Sequence, residues 1–246
     1  MLGVYDFLER LHERYPALLI EGCSGGGGRF DAGMLYYTPQ IWCSDNTDAI
    51  ERVKIQYGTS FAYPSCTVGS HVSAVPNHQT GRTTELATRA AVAMAGSFGY
   101  ELDLNLLTEE EKEQVRAQIK NYHRFEMLIR QGRYYRLTDV WQKKEYAAWE
   151  YCRPDGSEAL VTVVTLDTQC NPATEYVKLR GLGEDKKYRV EVVGMQTGGE
   201  NGQRINGTPN SVEPEYYTGA QLVHAGLPVP RLGNEYKSWQ VYVKEV

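Results

Sequence analysis

Short apolar runs alternate with amphipathic stretches through the first half of the chain. Apolar runs of this kind are typical of buried strands, and apolar residues spaced by three and four positions are typical of helices. The pattern predicts strands over 17–21, 38–44, 60–67 and 97–104, and helices over 1–15, 48–57, 84–95 and 108–130. Because strands alternate with helices, we expect a parallel sheet in this half.

The second half has no helical period. Strands are predicted over 134–137, 146–153, 159–166, 176–179, 188–193 and 239–243. The sequence Arg-Pro-Asp-Gly-Ser at 153–157 indicates a hairpin turn, and residues 196–214, rich in Gly, Asn, Gln and Thr, indicate a long loop. We therefore predict an α/β domain over 1–131 followed by a separate antiparallel β-sandwich over 132–246.

Two acidic residues follow the apolar run that begins at Ile41, at the point where a helical pattern begins. A carboxylate between the end of a strand and the start of a helix is where α/β barrels carry their chemistry. Asp48, with Glu51 three residues later, fits a capping box and is predicted to cap the helix. Asp45 lies too early to be that cap, so it is the candidate catalytic acid.

Four successive glycines follow the first predicted strand, in the run Gly22–Arg29. The run lacks the Gly-Lys-Ser/Thr ending of a phosphate loop, which argues against nucleotide binding. Because glycine has no Cβ atom, the backbone here can approach a flat polar ligand closely. The four glycines are therefore candidate ligand contacts, and a merely flexible loop is the alternative.

Composition excludes several classes of function. With 26 basic and 31 acidic residues the net charge is −5, and no basic cluster is present, so nucleic acid is not an expected partner. No apolar run is long enough to span a membrane. Five cysteines, odd in number and irregularly spaced, favour reduced thiols in a cytoplasmic protein over disulfides or a zinc site.

Two other catalytic or metal-binding patterns are incomplete. Ser70-His71 and Asn77-His78 invite a Ser-His-Asp hydrolase, but no Gly-x-Ser-x-Gly elbow precedes them, and hydrogen bonding within a loop is the favoured interpretation. Asp45, Asn46 and Asp48 resemble part of a calcium loop that lacks its closing glutamate. We expect neither a metal ion nor an organic cofactor.

Four motifs in order make the chain resemble bacterial α-galactosidases of glycoside hydrolase family 36. They are Glu-Gly-Cys-Ser-Gly-Gly-Gly-Gly-Arg-Phe-Asp at 21–31, Trp-Cys-Ser-Asp-Asn-Thr-Asp-Ala-Ile-Glu-Arg at 42–52, Ile-Gln-Tyr-Gly-Thr-Ser at 55–60 and Gly-Ser-His-Val-Ser-Ala-Val-Pro-Asn-His-Gln-Thr-Gly-Arg at 69–82. Residues 17–105 resemble the second half of the family's catalytic (β/α)8 barrel, which implies about four β/α units here. The following β region resembles the family's small C-terminal sandwich.

The resemblance implies a role for individual residues. Asp45 matches the family's general acid/base, and Cys23 and Gly26 match positions that contact galactose near its 2-hydroxyl. Gly25, in the same glycine run, completes the set of substrate-binding candidates. Position 43 is more often Thr in this motif, and Cys43 is a small change beside the acid. The family's nucleophilic aspartate lies in a Lys-Trp-Asp motif on the preceding barrel strand, and this sequence contains no such motif.

A retaining glycosidase needs two carboxyl groups roughly 5–5.5 Å apart. This sequence supplies one of the two, Asp45. The resemblance therefore implies that the chain is the C-terminal part of a retaining α-galactosidase that acts on melibiose or raffinose-type sugars. The expected partner is the N-terminal half of the same enzyme, which would be a homo-oligomer when complete. Two alternatives stay open, namely a non-catalytic galactoside-binding or interaction protein, and a related transglycosidase that builds raffinose-type sugars.

Overall fold

The fold is that of a computed structural model, which describes residues 2–171, 173–193, 215–230, 232 and 235–246. The loop predicted over 196–214 lies outside the described residues. The first part of the chain forms helices and short strands in alternation: α1 (Leu2–Arg14), β1 (Glu21–Gly22), α2 (Ser24–Gly27), α3 (Ala32–Tyr37), β2 (Gln40–Ile41), α4 (Ala49–Thr59), β3 (Gly69–Ser73), α5 (Leu86–Ala93), β4 (Ser97–Glu101) and α6 (Glu109–Gln131).

The four strands of this part run parallel, as the alternation predicted. β1 pairs with β2, and β3 pairs with β4, both in parallel. A single parallel bridge between Ile41 and Val68 joins the end of β2 to the residue before β3. The strands therefore lie side by side in chain order, with their carboxyl ends at one edge.

Two of the predicted strands were placed wrongly. Residues 60–67 form turns and a single 3-10 turn (Ser65–Thr67), and the strand lies instead over Gly69–Ser73. Ser60 ends α4, because its backbone N–H donates to the carbonyl of Gln56 at 3.0 Å. The strand predicted over 17–21 begins only at Glu21, and Leu19 before it is 86 % exposed.

Helix α3 was not predicted, and it anchors α1 to the rest of the chain. Asp31 begins α3 by accepting a hydrogen bond from the Met34 N–H at 2.8 Å. The same carboxylate accepts the hydroxyl of Tyr5 from α1 at 2.8 Å, and the Tyr5 ring stacks on Tyr37 with centroids 5.8 Å apart. Leu8 is the single buried residue of α1, so this attachment is mostly aromatic and partly exposed.

The predicted helix caps are confirmed. Asp48 begins α4 and accepts hydrogen bonds from the backbone N–H groups of Ile50 and Glu51. Thr108 and Glu111 form a reciprocal capping box at the start of α6, which satisfies two of the donors that a helix start leaves free. Among the described residues, no helix is both long and apolar enough to cross a membrane.

The second part of the chain is dominated by an antiparallel sheet of six strands, which are β5 (Arg133–Arg136), β6 (Tyr146–Cys152), β7 (Glu158–Thr165), β9 (Lys187–Val193), β10 (Glu215–Thr218) and β12 (Ser238–Glu245). They lie side by side in the order β10-β9-β12-β7-β6-β5. A separate two-stranded sheet pairs β8 (Tyr176–Val177) with β11 (Leu227–Pro228). β10, β11 and a π-helical turn over Gln221–Ala225 were not predicted.

The six-stranded sheet has an apolar core on each face. One core joins the sheet to helices α4, α5 and α6, through residues such as Val53, Val92, Phe125, Trp149 and Tyr242. The other lies under the two-stranded sheet and contains Val177, Leu222, Leu227 and Trp239. The first core continues across the predicted boundary between residues 131 and 132, so burial binds the two parts of the chain together.

A carboxyl group is buried in the second of these cores. Glu150 lies on β6 with no exposed surface, and its Oε2 accepts the backbone N–H of Arg180 at 2.7 Å. Its Oε1 has no hydrogen-bond partner within the part of the chain that the structure describes. Burial raises the pKa of Glu150 to about 8. A protonated carboxyl is the form that this apolar site favours near neutral pH.

Replacement of Glu150 by Gln tests that protonation state through the pH dependence of unfolding. Between about pH 4.5 and about pH 8 the folded chain keeps a proton that the unfolded chain releases. The free energy of unfolding should therefore fall as pH rises through this window, by roughly 1.4 kcal/mol per pH unit at most. Glu150→Gln removes this titration, and we expect its urea unfolding to depend less on pH than that of the parent chain.

The matched control is Glu113→Gln, which removes a carboxylate that is 73 % exposed. It should leave the pH dependence of unfolding as it is in the parent chain. An identical pH dependence for the parent chain and Glu150→Gln would show that Glu150 is ionised in the folded protein.

Candidate active site

Asp45 lies in the loop between β2 and α4, at the carboxyl edge of the parallel strands. The side chain is exposed. Among the described residues the Asp45 carboxylate has no hydrogen-bond or ion-pair partner, although neighbouring residues of the loop do form hydrogen bonds. A carboxylate in this position is free to exchange a proton with a bound ligand.

The backbone on both sides of Asp45 is held by hydrogen bonds. The Asn46 N–H donates to Ser44 Oγ at 3.2 Å, and the Asp48 N–H donates to Asn46 Oδ1 at 3.0 Å. Asn77 reaches the same loop from a distant part of the chain, and its Nδ2 donates to Thr47 Oγ1 at 2.9 Å. The loop is therefore fixed while the Asp45 carboxylate is left free.

Asp48 is buried and accepts four hydrogen bonds. Besides the two N–H groups at the start of α4, Thr80 Oγ1 and Arg82 Nη1 each donate to it at 2.5 Å. Burial alone would raise the pKa of Asp48, but these hydrogen bonds outweigh it and hold the pKa below its ordinary value. Asp48 is thus an ionised carboxylate that accepts four hydrogen bonds. It lies three residues after Asp45, whose carboxylate has no partner among the described residues.

Arg52 is a site residue that sequence reasoning missed. It is buried on α4 and donates to the carbonyl of Ser44 at 3.3 Å and to the carbonyl of Gly69 at 2.7 Å. Its guanidinium lies 4.7 Å from the centre of the Trp42 ring, and burial lowers its pKa. Arg52 therefore joins the Asp45 loop to the start of β3. A charged residue on an amphipathic helix gave no sign of this buried role.

The glycine run forms a turn against the Asp45 loop. Backbone φ is positive at Ser24, Gly25, Gly26 and Gly27, with values from 61° to 88°. A Cβ atom on Gly26 would lie 3.0 Å from the Asp45 backbone nitrogen and 3.5 Å from its carboxyl carbon. A Cβ atom on Gly25 would meet nothing within 4 Å. The structure therefore brings Gly26 against Asp45, while Cys23 and Gly25 are exposed on the same turn.

The serine–histidine pairs do not assemble a hydrolytic triad. Ser70 Oγ donates to Gln56 Oε1 of α4 at 2.7 Å. The His71 ring stacks on the Trp42 ring, and His71 Nδ1 lies 3.3 Å from Glu101 Oε2. His78 is exposed in the loop after β3. Within the residues that the structure describes, no group of three or more His, Cys, Asp or Glu side chains is placed to hold a metal ion.

Comparison with known proteins covers the whole chain. Residues 1–132 match the family model described as Melibiase, and residues 146–243 match the model described as Glycosyl hydrolase family 36 C-terminal domain. The bifunctional alpha-galactosidase/sucrose kinase AgaSK of Mediterraneibacter gnavus is 54 % identical over 246 residues, and alpha-galactosidase AgaA of Geobacillus stearothermophilus is 43 % identical over 246 residues. These matches cover 100 % of this chain but only 24 % and 31 % of the two relatives.

Solved structures agree with these matches. The galactosidase domain of AgaSK superposes with a TM-score of 0.87 at 54 % identity, covering 100 % of this chain and 31 % of that chain. A substituted form of AgaA in complex with raffinose superposes with a TM-score of 0.88 at 42 % identity, with the same coverage of 100 % and 31 %. The chain is therefore similar to less than a third of each of these proteins.

Gly25 and Gly26 give a matched pair of substitutions. Alanine at Gly25 or Gly26 would adopt a positive φ of 66° or 73°, which costs roughly 1–2 kcal/mol at either position. Only at Gly26 would the new methyl group also meet the Asp45 backbone, 3.0 Å away. We expect Gly26→Ala to lower the free energy of unfolding in urea by about 1–3 kcal/mol more than Gly25→Ala. Equal losses would show that the turn does not press on the Asp45 loop.

Proposed function

The chain belongs to glycoside hydrolase family 36, and we propose that it is the C-terminal part of a retaining α-galactosidase, with Asp45 as the general acid/base. The observation that carries this proposal is the Asp45 carboxylate, which has no partner among the described residues and lies on a fixed loop at the carboxyl edge of the strands, against the glycine turn. A proton donor must be held in place yet left free to bond to the substrate.

The reaction would proceed in two steps. A nucleophilic aspartate attacks the anomeric carbon, and protonated Asp45 donates its proton to the departing glycosidic oxygen. Asp45 then accepts a proton from water, which attacks the galactosyl-enzyme ester and releases galactose. The nucleophile would come from the family's Lys-Trp-Asp motif, which is absent from this sequence. The complete enzyme would therefore contain an N-terminal half that supplies it.

The environments of three other aspartates support a single acid in this segment. Asp31 begins α3 and accepts the Tyr5 hydroxyl, and Asp48 is occupied by four donors. Asp103 accepts the N–H of Asn105 at 2.9 Å at the start of a short 3-10 helix. Each of these three carboxylates has a local structural partner, whereas Asp45 has none within the described residues.

The arrangement of the strands also supports the assignment of Asp45 as the acid. Four parallel strands lying in chain order, with helices between them, are what the second half of a (β/α)8 barrel would present, and the acid is at the carboxyl edge where such barrels are active. We place this half-barrel over 1–131 and the C-terminal β-sandwich domain over 132–246. The two-stranded sheet opposite the six-stranded one supports the sandwich.

The expected substrates are α-galactosides such as melibiose and raffinose. Two substituted forms of AgaA have been crystallised, one with raffinose and one with stachyose, which are α-galactosides. Cys23, Gly25 and Gly26 would contact the galactose ring, because they lie on the turn that faces Asp45. The cytoplasmic location and the homo-oligomeric state of the complete enzyme stay predictions.

A chimera tests the proposed function. The segment of the AgaSK galactosidase domain that matches residues 1–246 would be replaced by this chain, to which it is 54 % identical. We expect the chimera to hydrolyse p-nitrophenyl α-galactoside and this chain alone to show no activity above background. Asp45→Asn in the chimera should lower turnover of raffinose roughly 10²–10⁴-fold, because it removes the proton donor.

The matched control is Asp103→Asn, which makes the same chemical change at an exposed aspartate. It should leave the turnover of raffinose close to that of the parent chimera. A folded chimera without activity, or full activity after Asp45→Asn, would contradict the proposal.

A further inference from the structure

The loop after β3 connects Asp48 to the β region. We define the rim loop as residues 77–82. Arg82 of this loop donates to Asp48 Oδ1 at 2.5 Å and lies 3.7 Å from Glu51 Oε1. The central carbon of the same guanidinium group also lies 5.0 Å from the centre of the ring of Tyr236, which belongs to the β region. One arginine therefore touches both the helix start behind the acid and a tyrosine more than 150 residues away in the sequence.

Hydrogen bonds within the rim loop tie its two ends together. The Asn77 N–H donates to the carbonyl of Arg82 at 2.8 Å, and the Gly81 N–H donates to the carbonyl of Asn77 at 2.8 Å. Asn77 Oδ1 also accepts the N–H groups of Gln79 and Thr80, at 3.0 and 3.1 Å. These bonds close the loop on itself, so Arg82 and Asn77 contact the Asp45 loop as one unit.

Tyr236 is held firmly at the other end of this connection. Its backbone N–H donates to the carbonyl of Thr165 on β7 at 3.0 Å. The next residue, Lys237, donates its N–H to Thr165 Oγ1 at 2.9 Å and forms an ion pair with Glu85 at the start of α5. Tyr236 has a φ of 62°, a left-handed conformation that costs a non-glycine residue energy. The chain thus keeps an unfavourable backbone conformation where it presents this ring to Arg82.

Resting on the proposed function, we propose that Arg82 and Tyr236 are positioning residues for the general acid. Through Arg82 and Asp48, Tyr236 of the β region fixes where the Asp45 carboxylate stands. The β region then contributes to proton donation as well as to the apolar core. Neither side chain need touch the substrate, because both act through the loop that carries Asp45.

The leaving group distinguishes this role from a general loss of stability. Proton donation matters when the departing group is a sugar hydroxyl, and it matters little when the departing group is nitrophenolate, which leaves readily as an anion. kcat/KM reports the steps up to cleavage of the glycosidic bond. A misplaced acid therefore lowers kcat/KM for melibiose much more than for p-nitrophenyl α-galactoside. The ratio of the two values does not depend on how much of the enzyme is folded.

The experiment measures this ratio in the AgaSK chimera for Arg82→Ala and Tyr236→Ala. We expect kcat/KM for melibiose to fall about tenfold or more in both variants, with a change of about twofold or less for p-nitrophenyl α-galactoside. Tyr236→Phe keeps the ring over Arg82 and should restore the parent ratio. If Arg82→Ala fails to accumulate as folded protein, the two Tyr236 variants decide the question alone.

Arg124→Ala is the matched control. Arg124 lies over the ring of Tyr242, 4.7 Å from its centre, and so makes the same kind of contact between α6 and the β region. Its loss should leave the ratio unchanged. Equal loss for both substrates in Arg82→Ala and Tyr236→Ala, or no loss at all, would overturn the proposal. Failure of the proposed function would show differently, as a parent chimera inactive on both substrates.

Discussion

The buried carboxylate of Asp48 is the constraint around which the candidate site is arranged. An ionised carboxylate without water is stable only when donors surround it, and removal of one partner of such a buried pair costs about 3–5 kcal/mol. The donors here come from the start of α4, from Thr80 and from Arg82. To satisfy one charge, the chain must bring the loop before α4 and the loop after β3 into a single arrangement.

Two aspartates three positions apart consequently have opposite environments. Asp48 accepts four hydrogen bonds, whereas Asp45 has no partner in the part of the chain that the structure describes and lies on backbone that Asp48 helps to fix. Arg52 completes the arrangement from behind, because it holds the Ser44 carbonyl and the first residue of β3 together. The stability of the site therefore comes from residues that do not touch the reacting atoms of the proposed reaction, and this separation leaves the Asp45 carboxylate without a partner among the described residues.

Local signals in the sequence were enough to predict two helix caps and the candidate acid. The caps at Asp48 and Thr108 depend on residues within one helical turn, and both were predicted. Asp45 was singled out because it precedes the cap. β3 was missed because its buried positions are mostly Gly and Ser, and its place is set by parallel pairing with β4. Local patterns did not indicate the contacts of Arg52, Arg82 and Tyr236. The partners of these residues are distant in sequence, and only the fold brings them together.

The way the N-terminal residues attach has a consequence for how the molecule opens. No described residue among the first forty or so belongs to the apolar core that α4 to α6 share with the sheet. These residues reach the later elements through the stacking of Phe30 on Tyr63, a hydrogen bond from the Tyr63 hydroxyl to the Phe30 carbonyl and the pairing of Gly22 with Ile41. Amide hydrogens should therefore exchange in two classes, with the N-terminal segment opening well before the rest unfolds. The glycine turn belongs to the segment that opens early and Asp45 to the part that persists. A local fluctuation can thus take the glycine turn away from Asp45 while the loop that carries Asp45 stays folded.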